Sequence, residues 1–253
     1  MAQNELPFIT YVINLDRYPD RFTAMSAALA REEIPCERIR AIDGRSRVFT
    51  EAEIDLKAYE KNHGRPPGIG VAACYMSHLS AYKALLDTSY EFALIFEDDM
   101  VIHPGLRQLV IDSIKIKDSW DVLRFAGFHS GFPVRRKMIN ATHSMCYNFT
   151  SRTGGGCYMI NRKAAKSYLG QMLPITVHID HEYTKSWKYN LRIFSVYPAP
   201  CVDAGLPTSI EYAAAKKLKR RWYKKFPTLC YRSKTALRQI WHGITHGYCF
   251  PGK

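Results

Sequence analysis

Residues 92–101 read Phe-Ala-Leu-Ile-Phe-Glu-Asp-Asp-Met-Val, five apolar residues followed at once by three adjacent carboxylates. An apolar run of this length and type fits a strand covered on both faces, which requires helices above and below a parallel sheet. Open α/β sheets gather their ligands outside the carboxyl ends of their strands, and that end is where Glu97, Asp98 and Asp99 fall. Two readings of the acids stay open. They form a solvated turn, or they share a divalent cation with oxygen ligands and, with it, a phosphate-bearing substrate.

The rest of the chain fits the same layout. Residues 8–15 are β-branched and aromatic and predict a first buried strand. A helix over 20–33 follows, with Phe22, Met25, Ala28 and Leu29 at helical spacing. A second strand over 36–42 ends in the turn Asp43-Gly44-Arg45. This β-α-β opening calls for a right-handed crossover. A short charged helix over 51–61, a Gly/Pro-rich loop over 64–70 and a long helix over 71–88 then lead to the acid-tipped strand. On that long helix Cys74, Leu79, Tyr82 and Leu86 are expected to face inward. Further on, the pattern predicts a strand over 121–126, loops and a hairpin over 127–150 and a strand after Gly154-Gly155-Gly156. A helix over 161–170 and a strand near 192–196 complete the body. Residues 103–120 carry no predicted element.

Charge divides the chain. The formal net charge is +13, but residues 212–253 hold eleven Lys and Arg and no acid, leaving 25 basic against 23 acidic residues in 1–211. The expected organisation is a catalytic body over 1–211 and a basic aromatic tail over 212–253. In the tail, Lys216 to Phe226 interleaves cations with rings, which suits an anionic membrane surface. The same composition suits single-stranded nucleic acid, but the near-neutral body offers no basic face, so nucleic acid is not the expected partner. No apolar stretch of about eighteen residues occurs, so no membrane span is expected. The first residues lack a basic n-region, so no signal peptide is expected. Seven scattered cysteines without a C-x-x-C pair favour reduced thiols in a cytoplasm over disulfides or zinc.

Four groups carry candidate chemistry. Glu97, Asp98 and Asp99 are the first, with Glu97 and Asp99 able to leave an extended turn on one face. Asn14, Arg17 and Arg21 after the first strand, with Asp43 after the second, suit a base, ribose or phosphate; solvated turns are the alternative. Ser77 and His78 lie on the long helix, where a satisfied core histidine is the plainer reading. Last, in His178-Ile179-Asp180-His181-Glu182 an extended backbone would put His178, Asp180 and Glu182 on one face, whereas a helix start would make Asp180 a cap. The glycines at 154–156 precede a strand and so are not a phosphate fingerprint.

Taken in order, Val12-Ile13-Asn14-Leu15-Asp16-Arg17 with Arg21, Ala41-Ile42-Asp43-Gly44, Cys74-Tyr75-Met76-Ser77-His78, Ile95-Phe96-Glu97-Asp98-Asp99-Met100, Gly155-Gly156-Cys157-Tyr158-Met159-Ile160-Asn161-Arg162-Lys163-Ala164 and Ile179-Asp180 resemble glycosyltransferase family 25. That family comprises lipopolysaccharide and lipooligosaccharide galactosyltransferases. The resemblance spans roughly residues 8–205 and departs at Val71, where the family has Glu, and at Thr153-Gly154-Gly155-Gly156-Cys157. It implies a GT-A type α/β fold, a mostly parallel Rossmann-like sheet flanked by helices, here with a basic helical C-terminal tail. It implies inverting transfer of a hexose, most often galactose from UDP-galactose, to a glycolipid or oligosaccharide acceptor with Mn²⁺ or Mg²⁺. On this likeness Asp99 and Glu97 contact the metal and Asp180 is the base. Asn14, Arg17, Arg21, Asp43, Ser77, His78, Glu97 and Asp98 bind the nucleotide sugar. The place implied is the cytoplasm, peripheral on the inner membrane. The contrasting expectation is an inactive member, or an adaptor that uses only its basic tail.

Overall fold

The computed structural model describes residues 6–127, 132–150, 154–205 and 226–248. Its centre is an eight-stranded sheet in the order β2-β1-β3-β8-β5-β9-β7-β6. The strands are β1 (Ile9–Asn14), β2 (Glu37–Arg40), β3 (Phe92–Glu97), β5 (Val122–Arg124), β6 (Pro133–Met138), β7 (Ser144–Asn148), β8 (Cys157–Asn161) and β9 (Ile193–Tyr197). β2, β1, β3, β5, β9 and β6 run in one direction, and β8 and β7 run against them. The fold is therefore mixed α/β with a largely parallel sheet. The reversal of β8 between β3 and β5 is invisible to periodicity, which reports burial and not strand direction.

Burial on both faces explains why the central strands are apolar throughout. In β3, Ala93 and Ile95 enter one core, while Phe92, Leu94 and Phe96 enter the other. β1 divides likewise, with Ile9, Tyr11 and Ile13 against Val12. The first core is roofed by α3 (Ile69–Leu86) and α5 (Arg162–Gln171), the second by α1 (Pro19–Arg31) and α4 (Leu106–Lys115). Truncating a side chain as buried as Phe96 to alanine would cost about 3–5 kcal/mol.

Local chemistry sets the helix ends. Pro19 opens α1. Asp55 caps α2 (Leu56–His63) by accepting from the Ala58 N–H at 2.9 Å, and Gly64 closes it with a left-handed φ of 83°. Asn161 caps α5 through the Ala164 N–H. The predicted helix over 51–61 is thus displaced to begin at Leu56, after its Asp55 cap. On α3, Leu79 and Tyr82 are buried, whereas Cys74 and Leu86 are only half-buried.

A second ribbon stands beside the main sheet. β4 (Met100–Ile102), directly after the acid triplet, pairs antiparallel with β10 (Cys201–Asp203), setting Met100 opposite Asp203. Neither β4, β10 nor α4 was anticipated from the sequence. After the short helix α7 (Ser186–Tyr189), the last described helix, α8 (Phe226–Thr245), lies within the 212–253 segment and is seated on the body. Tyr147 donates to the Gln239 carbonyl at 2.8 Å and Thr228 to the Lys61 carbonyl at 3.0 Å. Residues 216–225 of the basic stretch lie outside the described residues.

Candidate active site

Chain order makes the site. From β1 the chain moves outward to β2, then returns to place β3 on the other side of β1, so the strand order reverses between β1 and β3. A crevice opens at the carboxyl ends of such a pair. Pairing of Ile13 with Glu97 puts Asn14 and Asp98 at the same level.

Asn14 is buried and its amide is spent inside the protein. It donates to the Tyr18 carbonyl at 2.9 Å and to Asp98 Oδ2 at 2.5 Å, and its oxygen accepts from Arg38 Nε. Its contribution is to hold Asp98 still. Arg21 reaches Asp98 from the other side at 3.7 Å. Burial pushes the Asp98 carboxyl up, and these two partners oppose the rise. Arg17 and Asp43 line the crevice as an ion pair that holds Asp43 below the ordinary carboxylate range. Ser77 is fully buried; its Oγ accepts from the Ile42 N–H at 2.9 Å and donates to the Ala73 carbonyl, tying the 41–44 turn to α3.

Asp99 has the least compensated charge. Burial raises its carboxyl to about 7, and Glu97, Asp203 and Asp98 add to the rise against Arg21 alone. Asp203 was missed by sequence reasoning because it reaches Asp99 only through the β4–β10 pairing, 104 positions further along the chain. Glu97 turns toward α3, where its Oε1 lies 3.5 Å from His78 Nε2.

The Ile179–Glu182 segment is a single helical turn, α6, entered from His178 as its cap residue. The extended arrangement is not realised, and Asp180 is not the cap. Asp180 and Glu182 diverge. Glu182 is buried under Lys185 Nζ at 2.5 Å, Lys188 and Tyr189, a structural knot. Asp180 accepts from the Gly154 N–H at 3.0 Å. Burial would raise its carboxyl, but His181, that N–H, His178 and Arg124 outweigh burial and hold it below the ordinary range. It is therefore ionised at neutral pH. Arg124, also unforeseen, is a buried cation whose Nε donates to Tyr183 Oη at 2.9 Å and Nη2 to the Gly154 carbonyl at 2.5 Å.

Gly155 separates the two acid groups. A Cβ there would sit 3.6 Å from Asp180 Cβ and 3.7 Å from Glu97 Oε1. The one tight approach is to the Tyr183 ring, whose Cε1 would lie 3.3 Å from that Cβ, so glycine here lets the backbone pack against Tyr183 beside both acids. Arg17 and Asp43 line the crevice together with Glu97, Asp98 and Asp99, and Asp180 lies beyond Gly155 within reach of Glu97.

A model of the family described as "Glycosyltransferase family 25 (LPS biosynthesis protein)" matches residues 8–183. The chain belongs to this family. Within family 25 it is 26% identical over 190 residues to procollagen galactosyltransferase 1 of Danio rerio, covering 69% of this chain and 31% of that protein. It is 30% identical over 222 residues to a probable inactive glycosyltransferase 25 family member 3 of Bos taurus, covering 77% and 37%. The chain spans only about a third of the length of these curated relatives. Among solved structures, A197 from STIV aligns at a TM-score of 0.41 and 11% identity over 75% of this chain and 81% of that one. Likeness that weak carries nothing beyond the sheet-and-helix layout already described.

Proposed function

We propose that this family 25 chain is an inverting hexosyltransferase of GT-A type that moves galactose from UDP-galactose to a hydroxyl of a lipopolysaccharide or lipooligosaccharide acceptor. The observation that carries the reading is that Asp180 and Glu97, the first acid of the strand-end triplet, both come within 4 Å of the Cβ position at Gly155. Inversion needs a nucleophile on the face of the sugar opposite the leaving diphosphate, and in this reading Asp180 activates that nucleophile while the strand-end acids serve the diphosphate side.

In this reading Arg17 and Asp43 grip the uridine and ribose side, and Arg21 faces the phosphates. Asn14 and Ser77 fix the walls, Asp98 meets the ribose or sugar, and His78 meets the donor. Asp180, ionised and aimed by the Gly154 N–H, takes the proton from the acceptor hydroxyl as the new glycosidic bond forms and the bond to UDP breaks. The residues at Asp99 fit a hard divalent ion such as Mn²⁺ or Mg²⁺. Oxygen donors from Asp99, Glu97 and Asp203 carry more negative charge than Arg21 offsets. Such an ion would offset charge building on the diphosphate.

The acceptor side favours a membrane. On α8, Phe226, Leu237, Trp241 and Ile244 are exposed and fall on one helical face, away from the buried His242 and Gly243. Arg232, Lys234 and Arg238 flank that face, and no acid occurs from 212 to 253. This arrangement suits an anionic bilayer surface, with the rings at headgroup level, in the cytoplasm at the inner membrane.

The test is UDP release from UDP-galactose with a lipooligosaccharide core acceptor and Mn²⁺. Turnover that disappears in folded Asp180→Asn supports the reading. Absence of UDP binding under any metal condition overturns it. Relatives described as inactive favour a second reading, a member that no longer transfers. Donor binding without transfer to any acceptor is its signature.

A further inference from the structure

His78 is completely buried in α3, and its two ring nitrogens have different fates. Nδ1 lies 2.7 Å from Tyr158 Oη, and that hydroxyl donates to Tyr82 Oη at 2.9 Å. With Tyr158 donating to Tyr82, its oxygen is left to accept, and the tautomer assigned on that relay puts the imidazole proton on Nδ1. Nε2 then holds a bare lone pair. It makes no hydrogen bond, yet it points at Glu97 Oε1 only 3.5 Å away. A buried lone pair facing a carboxylate oxygen is unfavourable unless something positive lies between them.

Cys74 stands one helical turn before His78 on the same face of α3. Its Sγ, the His78 nitrogen and a Glu97 oxygen all lie within 4.8 Å of one another. The sequence showed no C-x-x-C zinc signature; a cysteine and histidine four residues apart on one helix offer an equivalent pair.

We propose that Cys74, His78 and Glu97 bind a borderline-soft divalent cation of the zinc class, with its fourth coordination position open to the crevice. Sulfur, nitrogen and oxygen together select such an ion over Mg²⁺ or Ca²⁺, which take oxygen ligands alone. Three protein ligands and one open position match the pattern of a reactive rather than a purely structural zinc. Binding displaces the Cys74 thiol proton to solvent and leaves a thiolate on the metal. Ligand atoms around tetrahedral zinc stand about 3.5 Å apart, given bonds of about 2.0–2.3 Å. Small rotations of Cys74 and Glu97, both half-buried, close that gap. His78 stays fixed by Tyr158, the outer partner that orients a metal-bound imidazole. This set shares Glu97 with the oxygen station at Asp99, so Glu97 serves one ion at a time; the sulfur and nitrogen donors set it apart in chemistry, and its binding test does not depend on the transfer reading.

The experiment uses the full chain, reduced, stripped with chelator and titrated with Co²⁺ as a spectroscopic substitute for Zn²⁺. One equivalent of Co²⁺ should give an intense thiolate-to-cobalt band in the near ultraviolet and tetrahedral bands in the visible, both abolished by Zn²⁺. Cys74→Ser, an exchange of sulfur for oxygen, should lose the thiolate band. His78→Ala should lose stoichiometric binding, and Asp99→Asn and Cys230→Ser should keep both features. The proposal is overturned by folded wild type that shows only the weak spectrum of six-coordinate oxygen ligation, or by a thiolate band that survives Cys74→Ser. If His78→Ala does not fold, the wild-type and Cys74→Ser spectra decide alone. No sugar donor enters the measurement, so absence of galactosyl transfer leaves this result standing, and absence of cobalt binding leaves the transfer reading standing.

Discussion

Replacing Asp121 with asparagine should destabilise the protein by an amount that vanishes in acid. Asp121 is fully buried at the amino end of β5, the end of the sheet opposite the crevice. It accepts from the Arg192 N–H at 2.9 Å, Arg192 Nε at 3.0 Å and Asn161 Nδ2 at 3.1 Å, and Lys163 Nζ lies 3.3 Å away. Burial alone would raise its carboxyl, but the Arg192 bonds and the Asn161 amide win and hold it at about 2, below the ordinary 3.8. At 1.36 kcal/mol per pH unit this depression contributes about 2 kcal/mol of folding stability at neutral pH. The folded value is the lower one, so the contribution is complete above about pH 4 and is lost as pH falls toward 2. Asparagine keeps the shape but loses the charge facing Arg192. That guanidinium is partly solvated, so the cost falls at or below the lower end of the about 3–5 kcal/mol seen when a buried pair is broken. A loss of about 2–3 kcal/mol lowers Tm by roughly 5–10 °C in a domain of this size. Urea unfolding of wild type and Asp121→Asn across pH should give curves separated at pH 7 that converge in acid. A gap unchanged at the acid end, or no gap at neutrality, refutes the reasoning. UDP binding below the transition should be the same in both proteins.

Asp180→Asn should keep its UDP affinity and lose about 10²–10⁴-fold in turnover, measured as UDP release, because only proton removal from the acceptor is taken away. Gly156→Ala would place a Cβ 2.1 Å from Met100 Sδ. It should cost about 1–3 kcal/mol, most of it recovered with Met100→Ala in a double-mutant cycle. Trp241→Glu on the exposed face of α8 should reduce co-sedimentation with anionic vesicles without changing Tm, since Trp241 is 68% exposed. Unchanged vesicle binding would remove α8 from the membrane reading.

What was legible in the sequence followed from density of signal. β1, β3 and α3 are apolar over most of their length, so their existence and the acid-tipped end of β3 stood out. The resemblance supplied Asp180, which local pattern alone left ambiguous between an extended face and a cap. Direction and distance were not legible. Nothing in the sequence 157–161 says that β8 runs backward, and nothing near 203 says that its carboxylate meets Asp99. α4 was legible and missed: Leu106, Leu109, Val110 and Ser113 stand at the i, i+3, i+4, i+7 spacing of a helix face. His78 is the instructive case. Its burial was expected, but only the Tyr158–Tyr82 relay distinguishes a satisfied ring from one with a vacant nitrogen.

The position of β9 bears on where this protein divides. The family match ends at residue 183, yet β9 begins ten residues later and lies inside the sheet, hydrogen-bonded to β5 on one side and β7 on the other. β10 follows and covers the edge of β4. A fragment cut at the end of the family match would expose two facing strand edges and the apolar floor under Met100, an aggregation hazard. The smallest piece that closes its own sheet runs at least through Asp203. Any swap of catalytic segments between family members must therefore carry the 193–203 strands along with the acid triplet.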